Sequence, residues 1–346
     1  MRTCIIAQFP PPIHGLSKAV DTLFNSSLKE EFSFSRINLT DNSKLIRNMI
    51  RLVNNKSELY YLTLSQSRMG NLRDLIILRI IRAKKGKCIV HLHGGYYRKM
   101  VDEDLAKWQR KLNYKAINKV DRAIVLSDSL KAVFRGMLPE DRIFVIPNCV
   151  DDEYMAFDSS ERFHHTGCKH VLYLSNFIES KGYRDVLQMA LLEKKERKGY
   201  HFDFAGGFPS EDEKSFFEFF ITSNGLQDTV TYHGVVTGED KRNLLKSSDI
   251  FVLLTNYPKE GQPISILEAM GNGMAIITTA HAGIPDIVKD GVNGIVVPCK
   301  YTVSEIFEKM QTLDIEKIDK VNHTEIMSDY SEQKYIENMH SVMSFV

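Results

Sequence analysis

Short apolar runs alternate with longer amphipathic stretches along the chain, the pattern of βα units feeding a parallel sheet. In the first half, the runs that predict strands are Thr3–Phe9, Phe32–Ile37, Glu58–Leu62, Cys88–His93, Arg122–Leu126 and Ile143–Ile146. Stretches of helical length lie between most of them, beginning with Leu16–Leu28. A proline and turn formers interrupt the pattern at Pro147–Asp152, and the polar stretch Asp158–Lys169 follows, so the linker is placed here. Strand runs then resume at His170–Leu174, Phe202–Ala205, Thr229–His233, Ile250–Leu254, Ala275–Thr278 and Gly294–Val297. This count predicts an α/β protein of two doubly wound parallel sheets, with domains at residues 1–150 and 151–330. Open α/β sheets bind ligands outside the carboxyl ends of their strands, so the ligand is expected in the cleft between the domains. No internal repeat of fixed period is visible.

A length of 346 residues agrees with two domains, and 43% hydrophobic with 10% aromatic residues excludes a disordered chain. No run approaches eighteen apolar residues, and Met1–Pro12 is broken by Gln8 and a proline cluster. Neither a transmembrane helix nor a signal peptide is therefore expected, and the product is expected in the cytosol. Cys4, Cys88, Cys149, Cys168 and Cys299 are odd in number and widely spaced, which favours reduced thiols over disulfides or a zinc site.

The net charge of +1 conceals an asymmetry: residues 1–150 carry 26 Lys+Arg against 13 Asp+Glu, leaving 19 against 31 for the remainder. A basic first half implies an anionic partner, either nucleic acid or the anionic leaflet of a membrane. The helical stretches Lys44–Lys56 and Arg68–Lys87 carry much of the excess. Each alone reads equally as the solvated face of a sheet-covering helix or as a lipid-facing surface, and the excess over the whole half favours the membrane. No nucleic-acid recognition motif is present and aromatic residues do not interleave with the basic ones, so nucleic acid is not expected.

The densest chemical signal is Glu260-Gly-Gln-Pro-Ile-Ser-Ile-Leu-Glu268, after the strand run Ile250–Leu254 and before Gly271 and Gly273. Pro263 suits a first helical turn and the glycines suit a C-terminal cap, so Ile264–Met270 is predicted as a short helix. Its start, with Gly261, offers backbone N–H groups and a positive dipole end to a phosphate or to sugar hydroxyls. Taken alone, Glu260 and Glu268 also read as a surface carboxylate and a helix-satisfied one. His91 and His93 close a strand on one face by the period of two; a metal pair and a buried, hydrogen-bonded histidine are both open, and no third ligand is apparent. Gly15 lies between a strand and a helix, as a turn former or where a backbone without Cβ approaches a diphosphate. Lys181 is placed at a helix start, where a cation opposes the dipole unless a phosphate lies beside it.

The glutamate string resembles the donor-binding signature of the retaining GT-B glycosyltransferases of family 4. Further matches are Pro11-Pro-Ile-His-Gly15, Ile146-Pro-Asn-Cys-Val-Asp151, Ala282-Gly-Ile-Pro-Asp286 and Asp290-Gly-Val-Asn-Gly294. The resemblance implies a GT-B fold whose last helix, about Ser331 to Phe345, crosses back to the first domain. It implies that Glu260 contacts the transferred sugar, that Glu268 binds the ribose hydroxyls, and that Gly261, Gln262, Pro263, Ile264 and Ser265 hold sugar hydroxyls through the backbone. His93 would meet the sugar near its 6-position, while Lys181 and the Gly15 loop would stabilise the diphosphate. Family members pair that lysine with an arginine, where this chain has Asn176. The implied reaction is metal-independent, retaining transfer of a hexose from a nucleoside diphosphate sugar, a UDP-sugar, with no further cofactor. The implied acceptor is a lipid-linked saccharide at the inner face of a membrane. A GT-B nucleotide-sugar epimerase and a non-catalytic partner that binds nucleotide or membrane are the alternatives.

Overall fold

Among the described residues the twelve apolar runs all become strands, each with ends within two residues of the expected bounds. The computed structural model describes residues 1–11, 15–156 and 167–345. Two units form: unit 1 comprises Met1–Cys149, Pro258–Gln262 and Glu332–Val346, and unit 2 comprises Val150–Tyr257 and Pro263–Ser331. Most of the expected linker stretch 158–169 lies outside the described residues.

Unit 1 runs β1 (Arg2–Ala7), α1 (Gly15–Asn25), β2 (Ser33–Asn38), α2 (Leu45–Asn54), β3 (Leu59–Thr63), α3 (Arg68–Ala83), β4 (Lys87–Leu92), the single turn α4 (Tyr97–Lys99), α5 (Lys107–Ile117), β5 (Arg122–Val125) and β6 (Ile143–Val145). The strands pair in parallel in the order β2-β1-β3-β4-β5-β6. A central parallel strand is covered on both faces, which is why β3 is buried at every position and reads as an apolar run from Leu59 to Leu62. Alternate side chains then feed two cores. Tyr60, Leu62 and Val90 meet Leu52 of α2, Ile77 and Ile81 of α3 and Ile117 of α5. Tyr61 and Ile89 meet Val20 and Leu23 of α1 on the other side. The chain's last helix (Glu332–Met343) completes that second core with Tyr335 and Met339, and the Tyr335 hydroxyl donates to the Ala19 carbonyl at 3.2 Å.

Unit 2 runs β7 (Lys169–Leu174), α6 (Tyr183–Glu196), β8 (Tyr200–Ala205), α7 (Glu211–Asn224), β9 (Val230–Tyr232), α8 (Gly238–Lys246), β10 (Ile250–Leu253), α9 (Ile264–Gly271), β11 (Ala275–Thr279), α10 (Ile284–Ile287), β12 (Gly294–Val297), α11 (Val303–Met310) and α12 (Ile315–Asp329). The last helix of unit 1 is thus α13. The sheet is parallel, in the order β12-β11-β10-β7-β8-β9. Capping fixes where α7 begins: the Ser210 hydroxyl accepts from the Glu213 N–H, and three acidic residues fill the first turn. A cluster of Phe177, Phe204, Phe208 and Phe217, with centroids 4.3 to 6.2 Å apart, forms the aromatic part of the core. No helix among the described residues is long and apolar enough to cross a membrane.

Candidate functional site

In unit 1 the relevant chemistry gathers at the carboxyl end of β4. His91 is fully buried, its Nδ1 sharing a 2.6 Å hydrogen bond with the Tyr61 hydroxyl. The His93 ring stacks on it at 3.9 Å between centroids. Burial, and then the neighbouring His93 ring, hold the His91 pKa well below the ordinary histidine value, so His91 is a neutral support for the half-buried His93.

Beyond His93 the backbone runs against residues 259–261. The Gly95 N–H donates to the Glu260 carbonyl at 2.7 Å. A Cβ on Gly261 would stand 2.6 Å from the His93 carbonyl oxygen, and one on Gly94 would stand 2.5 Å from the Lys259 carbonyl oxygen, so this approach requires glycine on both sides. A second fastening follows at once. The Asn148 N–H donates to Gln262 Oε1 at 2.7 Å, Asn148 Nδ2 donates to the Gln262 carbonyl at 2.9 Å, and Gln262 Nε2 reaches the Leu126 carbonyl at 3.4 Å. These bonds explain why Pro258–Gln262 groups with unit 1, although the simple boundary at 150 and 151 would assign it to the second domain. Glu260 is buried in this fastened segment, and the Gln262 side chain is occupied by backbone groups.

In unit 2, Pro263 precedes α9 as its N-cap, with Ile264 and Ser265 half-buried in the first turn and Glu268 buried one turn on. Gly273, at φ +69°, follows the C-cap Asn272. Glu268 Oε1 lies 2.6 Å from Lys241 Nζ of α8, and the same ammonium stands 4.1 Å from the Tyr154 ring centroid. At the carboxyl end of β7, Asn176 is exposed and its backbone carbonyl accepts from the Tyr173 hydroxyl at 2.9 Å. Lys181 differs from expectation: it ends a 3-10 turn, Glu179–Lys181, and α6 starts only at Tyr183. Between them Gly182 takes φ +80°, and a Cβ there would fall 2.5 Å from the Leu254 carbonyl oxygen. The Lys181 ammonium lies 5.4 Å from the Tyr257 ring centroid. Gly15 is the exposed first residue of α1, and Pro12–His14 of its motif lie outside the described residues.

Sequence reasoning missed three groups. Lys241 sits on a helix whose charges read as solvated, and the Asn148–Gln262 contact joins residues 114 positions apart. The third is a hydrogen-bonded cluster in unit 2, where Asp203 accepts from His170 Nδ1 at 2.6 Å and from His233 Nε2 at 2.7 Å. Burial works against the Asp203 carboxylate, but the two histidine hydrogen bonds outweigh it and bring its pKa to about 2. No group of three His, Cys, Asp or Glu side chains among the described residues is placed to hold a metal ion, so this cluster is a hydrogen-bond network.

Two doubly wound parallel sheets, with the glutamate string leading into the helix after β10, define a GT-B protein of the family 4 type. Residues 157–333, just over half of the chain, match the family described as glycosyl transferases group 1, and residues 69–154 match Glycosyltransferase Family 4. The chain belongs to the glycosyl transferases group 1 family. It is 24% identical over 227 residues to alpha-D-kanosaminyltransferase of Streptomyces kanamyceticus, covering 61% of this chain and 57% of that relative. It is also 24% identical over 132 residues to the amylovoran biosynthesis glycosyltransferase AmsK of Erwinia amylovora, covering 37% and 32%. The chain thus matches little more than half the length of the first of these relatives, and a third of the second. In fold it is similar to Anabaena HepE in complex with UDP, with a TM-score of 0.76 at 13% identity over all of both chains.

Proposed function

We propose that this protein is a retaining, metal-independent glycosyltransferase that moves a hexose from a UDP-sugar to a lipid-linked saccharide in cell-surface polysaccharide synthesis. Its working place is the cytoplasmic face of the membrane. Family membership supports the transferase class, the amylovoran relative supports the polysaccharide setting, and the HepE complex with UDP supports the nucleotide. The observation that carries the reading is the double fastening of residues 258–262 to the backbone that follows β4 and to Asn148, which holds a buried glutamate in register with His93. A carboxylate placed with that rigidity is suited to orient a sugar, because positioning supplies much of the rate where the protein offers no nucleophile.

In this reading Glu268 and Lys181 take the ribose and the diphosphate, and Glu260 and His93 orient the transferred sugar. The departing phosphate oxygen deprotonates the acceptor hydroxyl on the face it leaves, so the new glycosidic bond forms with retention. Thermal unfolding in chelator with UDP, GDP, TDP, ADP and their sugar conjugates tests the donor. A ligand at a hundred times its Kd stabilises by about 2.7 kcal/mol, so UDP and one UDP-sugar should raise the midpoint. No shift with any nucleotide sugar sinks the donor assignment. Binding without turnover on any acceptor would point instead to the non-catalytic partner, with Asn176 as the residue to restore to arginine.

A further inference from the structure

We propose that the outer face of α2, α3 and α5 in unit 1 is a docking surface for an anionic lipid bilayer, with the groove between α3 and α5 admitting part of a lipid. The inference rests on the membrane setting proposed above and assigns it to particular side chains.

The three helices lie on one side of the unit 1 sheet, since all three connect strands in the same direction and share one core. Their inward strips are narrow. Helix α2 buries only Leu52 and Asn48, whose Nδ2 donates to the Asn38 carbonyl at 2.7 Å. Ile46, Ile50 and Val53, at the i, i+4, i+7 spacing of one helical stripe, face outward, and Ile46 is 77% exposed. Helix α3 repeats this with Met69 (76% exposed) and Ile76, and α5 with Trp108 (57% exposed) and Leu112. Single exposed apolar residues need no explanation, but aligned stripes on three adjacent helices leave apolar surface in water unless something covers them.

The surrounding charge specifies what covers them. Exposed Arg47 and Arg51 flank the stripe of α2, Arg68, Arg79 and Arg82 that of α3, and Lys107, Arg110, Lys111 and Lys115 that of α5. The one acid on these helices, Asp74, is buried against Arg73 at 2.8 Å. Apolar stripes bordered by arginine and lysine complement acyl chains beneath anionic head groups. At their upper ends α3 and α5 are tied by buried amides, Asn71 Nδ2 donating to Asn113 Oδ1 at 2.7 Å and Gln109 Nε2 to Asn71 Oδ1 at 3.0 Å. Below these ties the helices part into a groove of about 520 Å³, lined by Leu75, Ile76, Leu112 and Ala116, with Arg79 and Lys115 among the basic residues lining it.

Trp108 is the only tryptophan of the chain and lies on this face, so the wild-type protein carries its own probe. The full chain is floated with vesicles of phosphatidylglycerol and phosphatidylcholine, or phosphatidylcholine alone, at low and high salt, while Trp108 emission is recorded. Binding to the anionic vesicles that weakens with salt, with a blue shift of Trp108 and its quenching by brominated acyl chains, is expected. Ile46→Glu with Ile50→Glu should abolish the binding, and Arg47→Gln, Arg51→Gln and Lys111→Gln together should weaken it on the order of a hundredfold, at about fivefold per charge. The unit 2 control Phe219→Glu should float as the wild type does. Wild-type protein that floats with Trp108 unshifted, or variants that float unchanged, overturn this face while leaving the membrane setting intact. Equal affinity for neutral and anionic vesicles overturns the anionic-lipid assignment of this face, and binding to neither removes the membrane setting and this face with it. A blue shift that grows with protein concentration without vesicles assigns the face to a second copy of the chain and overturns the proposal.

Discussion

Replacing Gly261 by alanine tests whether the fastening of residues 258–262 positions the reacting sugar. The added Cβ would lie 2.6 Å from the His93 carbonyl oxygen, 2.9 Å from Gly94 Cα and 3.0 Å from the His93 carbonyl carbon. All three are backbone atoms, which cannot swing aside as a side chain can. A carbon and a carbonyl oxygen settle at about 3.3 Å or more, so the segment must retreat by roughly 0.7 Å and strain the 2.7 Å bond from Gly95 N to the Glu260 carbonyl. Overpacking of this kind costs about 1–3 kcal/mol, which lowers the unfolding midpoint by a few degrees. A displacement approaching 1 Å costs on the order of a hundredfold in rate. Transfer from the proposed UDP-sugar donor should therefore fall about that far in kcat, while nucleotide affinity, proposed to rest on Glu268 and Lys181, stays within roughly threefold by calorimetry. Gly136→Ala is the matched control: its φ is +74° and its Cβ would meet no atom within 4 Å, so it strains the backbone without displacing Glu260. Gly261→Ala that turns over within roughly threefold of wild type, at a stability no better than Gly136→Ala, would refute the positioning argument.

Three further outcomes are expected. Lys241→Met removes the ammonium that lies 2.6 Å from the buried Glu268 carboxylate, so denaturant unfolding should show a loss of about 3 kcal/mol, and adding Glu268→Gln should recover part of it; strictly additive losses would show that the pair is uncoupled. Gln262→Ala strips the Asn148 N–H of its acceptor at a buried position, with a penalty of about 1–3 kcal/mol, and the Asn148 amide should exchange faster with deuterium; an unchanged exchange rate would show that the latch is not needed. The Asp203 cluster should make stability depend on pH in two windows. The hydrogen bond to Asp203 raises the His170 pKa, so this stabilisation is complete below 6.5 and is lost as pH climbs through the higher folded value. Asp203, lowered to about 2, contributes above 3.8 and loses that contribution as pH falls toward 2. The midpoint gap between wild type and Asp203→Asn should accordingly narrow as pH rises past 6.5, and a gap constant from pH 5 to 9 would refute the linkage.

What could be read in the sequence follows from how each feature is encoded. Parallel strands covered on both faces are apolar along most of their length, so β10 (Ile-Phe-Val-Leu) and the Leu59–Leu62 run of β3 announce themselves without knowledge of their neighbours. The glutamate string is local as well, and its helix appears within one residue of expectation. The partners of its members are not local. The chain around Lys241 reads Glu239-Asp240-Lys241-Arg242, and a run of charges on an amphipathic helix does not disclose which of them turns inward to meet Glu268. Lys181 departs from the pattern for a different reason: the left-handed Gly182, at φ +80°, separates the 3-10 turn that ends at Lys181 from α6, which starts only at Tyr183. The same limit governs α2, whose alternation of apolar and basic residues was visible, while the burial of Leu52 rather than Ile46 depends on where the neighbouring helix lies. Periodicity sets the angle between side chains around a helix, but only packing decides which stripe is covered. A site assembled from residues 114 positions apart, like Asn148 and Gln262, and a surface defined by what three helices leave outside, therefore both emerge only at the level of tertiary structure.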